Sequence, residues 1–259
     1  KEGMGSGRTY HGDEKVQSEG YKLVFSDYFD KDGAVDGSKW YSVHKGGGFG
    51  NHELQFYTNR KQNAEVKDGI LYIRGKKERF GSSGFTSAKL QTKAQWKYGK
   101  MVVRSRMKDA KARGTWGAHW MMPRQSHYGG WPNSGEIDIM EYVGFNNEKV
   151  YGTVHTGAYN HIKGTQKGGS MNVDIGEWHN YTVEWREDKI LFACDLEVYQ
   201  LFERESATNA AVWPFNQPFY LILNLAIGGQ WGGQKGIDNA AFSSGQVMEI
   251  DFVEVWQKK

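Results

Sequence analysis

Gly135-Glu136-Ile137-Asp138-Ile139-Met140-Glu141-Tyr142 places three carboxylates within six residues, interleaved with large apolar side chains. A strand alternates faces with period two, so Glu136 and Asp138 share one face and Ile137 and Ile139 the other. The isoleucines favour a strand and give it a face to pack on a core. Glu141, five residues after Glu136, has the wrong parity for the acidic face. One extra residue at Ile139-Met140, a β-bulge, brings it back, and bulges commonly re-aim side chains beside active sites. The stretch therefore predicts a bulged strand with three acids on one surface, set against the plainer alternative of a solvated strand edge.

Three like charges on one face are costly unless a proton or a partner compensates. Retaining glycoside hydrolysis suits such an arrangement. One carboxylate attacks the anomeric carbon, and a second protonates the leaving oxygen and then activates water. A third acid between them separates their proton affinities. Retention asks for carboxyl groups about 5–5.5 Å apart. The Cα atoms of Glu136 and Glu141 are expected roughly 13 Å apart along the strand, so both side chains must lean toward Asp138.

Glu-Ile-Asp-Ile-Met-Glu resembles the active-site signature of glycoside hydrolase family 16, in the bulged form of its laminarinase-like members. The likeness runs from about Tyr21 to Gln257. It is carried further by Gly50-Asn51-His52-Glu53-Leu54-Gln55, Gly114-Thr115-Trp116-Gly117-Ala118-His119-Trp120-Met121, Gly152-Thr153-Val154-His155 and Asn224-Leu225-Ala226-Ile227-Gly228-Gly229. The resemblance implies an all-β fold, a two-sheet antiparallel jelly-roll sandwich with a concave sugar-binding cleft. It implies Glu136 as nucleophile, Glu141 as acid/base and Asp138 as the residue that tunes the pair. For substrate contact it implies Asn51, Glu53, Arg104, His155, Asn224, Gln230 and Trp231. It also implies a structural Ca²⁺ at Asp251, with a backbone carbonyl near Gly69 and an opening-strand group near Asp27. Calcium takes about six to eight oxygen ligands, and the sequence offers one convincing carboxylate there. Tyr28 stands where the family usually has Glu.

The composition suits this reading. The chain has 259 residues, enough for one large β domain, with residues 1–20 expected as a polar, flexible leader and 21–259 as a single catalytic unit. Aromatic residues make up 14 %, including ten Trp, and Gly is frequent while Pro is scarce, as in folds of many short strands and turns. A net charge of +3 gives no case for nucleic acid. The single cysteine, Cys194, excludes an internal disulfide framework and reads as a buried thiol. No apolar run approaches the roughly 20 residues of a membrane helix, so no membrane insertion is expected. The chain opens on Lys1 without a signal-peptide pattern, which leads one to expect a processed or recombinant form. Secretion or a periplasmic or cell-surface location is expected from the function alone, and a monomer is the default.

Along the chain, Tyr21 to Phe25 reads as the first strand and 40–57 as a loop. Ile70 to Arg74 reads as a strand, 76–84 as a charged loop, and 86–92 as one strand. In 99–108, Met101, Val103, Ser105 and Met107 share one face and Arg104 and Arg106 the other; Arg104 is expected at the cleft, where it can bond sugar hydroxyls and offset the acids. Trp116, Trp120 and Trp131 cluster just before the acidic strand. Trp faces stack on the apolar faces of pyranose rings, and Trp116 and Trp131 in particular are expected as platforms. Residues 159–169 read as a polar loop walling His155. Glu184 is expected to be solvated, and 203–211 to form a short helix. Asn224, in an otherwise apolar strand, needs a partner.

These features together predict a retaining endo-β-glucanase acting on β-1,3-linked or mixed-linkage glucan. Agarose, carrageenan, porphyran and xyloglucan are the alternative substrates within the same family. A jelly-roll lectin without turnover needs the Trp platforms but leaves the three acids unexplained.

Overall fold

The computed structural model describes residues 19–259, so His11 and most of the expected leader lie outside it. Among the described residues the chain forms two facing sheets. The ten-stranded sheet comprises β1 (Tyr21–Asp27), β3 (Gln55–Tyr57), β4 (Ala64–Lys67), β5 (Ile70–Phe80), β6 (Ser83–Ser87), β8 (Gly99–Asp109), β13 (His179–Trp185), β14 (Lys189–Cys194), β15 (Glu197–Glu203) and β17 (Gln246–Lys258). The seven-stranded sheet runs in the order β12 (Lys167–Asn172), β11 (Lys149–His155), β10 (Glu136–Val143), β9 (Thr115–Met122), β16 (Tyr220–Ile227), β7 (Lys89–Thr92), β2 (Trp40–Ser42). Pairing is antiparallel except between β3 and β6.

Alternation explains how each sheet finds its inner face. Met101, Val103 and Met107 of β8 are fully buried against Ile137, Ile139 and Met140 of β10, Met121 of β9 and Leu221, Leu223 and Leu225 of β16. Burying each such side chain contributes about 1.5–3 kcal/mol. Polar links also cross this core, among them Tyr199 Oη of β15 donating to Ile139 O of β10 at 2.8 Å. Ser105 Oγ of β8 lies 2.8 Å from His119 Nε2 of β9, and burial pushes the His119 imidazole down to about 3, so it is neutral. Cys194 is buried as expected.

The expected loop 40–57 is a strand at both ends, β2 and β3, and three further sequence expectations are corrected. First, the charged stretch 76–84 is no loop: β5 continues to Phe80 and turns back into β6, with Lys77 and Arg79 on the exposed face and Phe80 packed on Phe56 at 4.8 Å. Second, residues 86–92 do not form one strand, because Ala88 separates β6 from β7 and the two join different sheets. Third, 203–211 is not a helix. Its backbone serves a neighbouring loop instead, Ala211 O accepting from Ala158 N and Thr156 Oγ1. The helices among the described residues are short: a 3-10 turn at Gly48–Gly50, another at Gly144–Asn146, and α-helices at Gly229–Gly232 and Asn239–Ser244. None is long and apolar enough to cross a membrane.

Candidate active site

β10 carries the acids, and its pairing shows how. Against β9 the register shifts between Asp138 and Met140, and against β11 between Asp138 and Glu141. Beyond the shift Glu141 stands opposite Tyr151 and Ala118, on the same face as Asp138. The extra residue lies at Ile139-Met140, both fully buried. The antiparallel registers then align Tyr151, Glu141, Ala118, Asn224 and Lys89 in one row across five strands. A second row holds Thr153, Asp138, Trp120, Ile222 and Gln91. Ala118 is small, which leaves the floor low beside Glu141.

The three acids are individually anchored. Trp131 Nε1 donates to Glu136 Oε1 at 2.9 Å, and Trp116 Nε1 donates to Glu141 Oε1 at 3.2 Å. Asp138 hydrogen-bonds both glutamates and is the most buried of the three, while His155 Nε2 lies 3.2 Å from its Oδ2. Burial, followed by the charge of Asp138, pushes Glu136 well above the usual carboxylate range. Burial and then the charge of Glu141 do the same to Asp138. Glu141 is raised to about 8, first by burial and then by Glu136, with the Trp116 indole opposing. Three largely buried carboxyls in one row cannot all ionise together, so the row holds protons at neutral pH. That is the condition a general acid requires.

The loop before β3 supplies a fourth carboxyl. Glu53 accepts from Asn51 Nδ2 at 3.0 Å and from Gln55 Nε2 at 2.9 Å, and burial raises its proton affinity. The loop is tied to the end of β16 by Leu54 N donating to Ile227 O at 2.9 Å. Gly229, at φ 80°, leaves room there: a Cβ would lie 2.9 Å from the Trp116 ring and 3.2 Å from Glu53 Cγ.

The site thus gathers Asn51, Glu53, Trp116, Trp120, Trp131, His155, Asn224 and Trp231 around the acids. Trp120 Nε1 donates to Asn224 Oδ1 at 2.7 Å, and Asn224 Nδ2 donates to Tyr57 Oη at 3.0 Å, which gives the buried amide its partners. Trp231 packs edge-on against Trp116 and Tyr151. Gln230 contributes its backbone amide, donating to Asn51 O at 2.7 Å, while its side chain is exposed.

Arg104 does not join them. It lies on β8, on the face opposite the core-facing Ser105, so the whole sandwich separates it from the acids. There its Nε sits 3.2 Å from Asp251 Oδ2 and its Nη1 donates to Asn180 Oδ1 at 3.1 Å. Glu184 is also corrected, being half-buried and accepting from Tyr21 Oη and Arg186.

The expected calcium ligands divide. β17 pairs with β5 as far as Ile250 opposite Leu71, which sets Asp251 beside the turn containing Gly69. Asp27 has other work: its Oδ1 accepts from Phe29 N at 2.9 Å and its Oδ2 from Trp40 Nε1 at 2.8 Å. One carboxylate shared with Arg104 and one carbonyl are a sparse set for calcium. Elsewhere, His179, Cys194 and Asp195 cluster, but both nitrogens of His179 are engaged, by Asp195 Oδ2 at 2.5 Å and Asp174 O at 2.8 Å.

Sequence reading missed Tyr57, Tyr151, Lys89 and His161. Lys89 is largely buried, with Nζ 5.0 Å from the Trp120 ring and 5.3 Å from Phe49. Its alternation with the buried Leu90 was the available signal. His161, carried by the loop after β11, lies tilted against Trp131 at 5.1 Å and edge-on to His155 at 5.3 Å, and nothing local in the sequence marks it.

Comparison with known proteins agrees with this geometry. The chain is 46% identical to a beta-glucanase of Rhodothermus marinus over 92% of this chain and 85% of that relative. It is 38% identical to a glucan endo-1,3-beta-glucosidase of Cryptopygus antarcticus over 81% and 83% of the two chains. The X-ray structure of the laminarinase from Rhodothermus marinus superposes with a TM-score of 0.87 at 46% identity, covering 92% of this chain and 97% of that one. The model of Glycosyl hydrolases family 16 matches residues 51–254, the span that carries every acid and aromatic of the cleft. The protein belongs to glycosyl hydrolase family 16.

Proposed function

We propose that the protein is an endo-β-1,3(4)-glucanase that cleaves β-1,3-linked glucan with retention of anomeric configuration. Glu136 attacks the anomeric carbon, Glu141 protonates the leaving oxygen and then deprotonates water, and Asp138, hydrogen-bonded to both, tunes their proton affinities. The observation that carries this reading is the buried row of three carboxyls, its outer members each held by an indole and Glu141 raised to about 8. A Glu141 still protonated at neutral pH is ready for the first step. Trp116 and Trp131 offer ring faces to sugars on either side. The names of the relatives, a beta-glucanase and a glucan endo-1,3-beta-glucosidase, support β-glucan as substrate.

Product analysis on laminarin, mixed-linkage β-glucan, curdlan, agarose, κ-carrageenan and xyloglucan tests the proposal. Oligosaccharides from laminarin or mixed-linkage glucan are expected, with the β-anomer formed first. Glu136→Gln is expected to lower kcat at least about 10³-fold. Products only from a galactan would overturn the substrate. Full activity in Glu136→Gln would overturn the mechanism.

For calcium we propose a site at Asp251 and the Gly69 carbonyl that excludes the Asp27 side chain and draws Asp251 away from Arg104. The nearness of Asp251 to the Gly69 turn supports it. Thermal melts in CaCl₂ and in EGTA decide: a higher Tm with calcium, lost in Asp251→Asn, is expected, and identical melts reject the site.

A further inference from the structure

Glu136, Asp138 and His155 present one donor atom each within 4.8 Å of one another. His155 Nε2 lies 3.2 Å from Asp138 Oδ2 and 3.9 Å from Glu136 Oε2. Four-coordinate zinc with bonds of about 2.0–2.1 Å needs donors about 3.3 Å apart. One edge of the triangle is already close to that length at 3.2 Å, a second is 3.9 Å and the third lies within 4.8 Å, so a turn of the Glu136 side chain is what must close the other two. The pattern of one imidazole and two carboxylates also suits a borderline cation.

The remaining hydrogen bonds point the same way. Trp131 takes Glu136 Oε1 and leaves Oε2 facing His155. Asp138 Oδ2 is buried and, among the described residues, accepts no hydrogen bond from a nitrogen donor, although His155 Nε2 is within reach. It is an acceptor turned toward a nitrogen it does not bond. The cleft leaves the outer side of Glu136 open, beside the exposed Trp131, where water can complete the shell.

We propose that Glu136, Asp138 and His155 form a latent site for Zn²⁺ or a similar transition-metal dication, and that its occupation reversibly blocks the cleft. The ion binds the carboxylate oxygens and displaces the proton they share. It thereby removes the nucleophile and neutralises Asp138, so inhibition competes with glucan. Two features moderate affinity. His155 Nδ1 is buried without a hydrogen bond among the described residues, whereas tight sites fix the second ring nitrogen with an outer partner. Lys89 places a positive charge near Glu136.

The inhibition rests on the proposed hydrolysis, but the binding does not, so the two are measured separately. ZnCl₂ is titrated calorimetrically into the wild-type protein, and CoCl₂ is followed by its visible absorption. One ion per chain is expected, with the intense bands of four- or five-coordinate Co²⁺. His155→Gln is expected to weaken binding by more than the roughly 10–100-fold that loss of an outer partner costs. Glu136→Gln, which keeps the shape of the side chain, serves as a second test should His155→Gln unfold. His161→Gln, which removes the ring contacts with Trp131 and His155 but no donor, is expected to change binding less than about three-fold, well below the outer-partner cost. No binding to wild type, or equal binding in both ligand variants, overturns the site. Loss in His161→Gln but not in His155→Gln also overturns it. With laminarin as substrate, zinc is expected to raise KM and leave kcat, and EDTA to restore activity. An unchanged KM overturns the blocking role, while failure to cleave any glucan overturns the hydrolase reading and leaves the titration to judge the site.

Discussion

At the level of single residues, the proposed chemistry depends on how Glu141 holds its proton. Burial and the charge of Glu136 raise it to about 8, Glu53 adds to the rise, and the Trp116 indole opposes it by bonding the charged form. An acid needed protonated in the first step gives an activity that falls as pH rises through its own affinity, so an alkaline limb near 8 is expected in kcat/KM. Glu53→Gln removes a negative charge and is expected to move that limb to lower pH. Trp116→Phe removes a donor to the carboxylate and is expected to move it higher. Limbs that stay in place in both variants would remove Glu141 from the role. The acids were legible because Glu136, Asp138 and Glu141 lie within one short stretch, and their mismatched parity itself pointed to the bulge. Lys89 and His161 were not, because their positions depend on which strand or loop meets β10. A β7 lysine reaches the floor only through the pairing of Lys89 with Asn224.

Among elements, β8 shows what alternation reveals and what it conceals. Its two faces were readable: Met101, Val103 and Met107 are inside, and Arg104 and Arg106 outside. Which sheet the strand joins was not, and that decides whether its outer face borders the cleft or the far surface. β8 lies between β13 and β17 in the ten-stranded sheet, so Arg104 pairs with Asp251 and Arg106 with Glu249, at 3.2 and 2.8 Å. Arg104→Met is therefore expected to leave kcat and KM on glucan unchanged while lowering stability by about 1–3 kcal/mol, since it strands a buried carboxylate. Parallel assays and urea melts check this, and a raised KM without loss of stability would restore Arg104 to the cleft. The same limit explains 203–211. Its composition allows a helix, but the segment is irregular and its Ala211 carbonyl accepts from the loop that carries His161.

Across the whole molecule, the cleft works against stability. A carboxyl whose proton affinity is higher folded than unfolded contributes fully below its unfolded value and loses that contribution as pH rises through the folded one. For Glu141 the window runs from about 4.5 to about 8. His179, raised to about 10 chiefly by its hydrogen bond to Asp195, has the same sign over a higher window, its contribution ending as pH passes 10. Stability is thus expected to decline steadily on the alkaline side. Glu141→Gln is expected to melt higher than wild type at pH 8–9, by an amount on the order of a few kcal/mol, and to match it near pH 4. Equal melts at both pH values would show that burial of this carboxyl carries no such cost. Trp131 and Trp116 connect these scales. The indoles proposed to offer ring faces to a sugar are the same ones that bond Glu136 and Glu141. Under the proposed roles, recognition and proton control therefore share the same two side chains. A lineage that trades either tryptophan for a new preference must retune an acid in the same step, and the freer path to new specificity runs through the loops around the cleft.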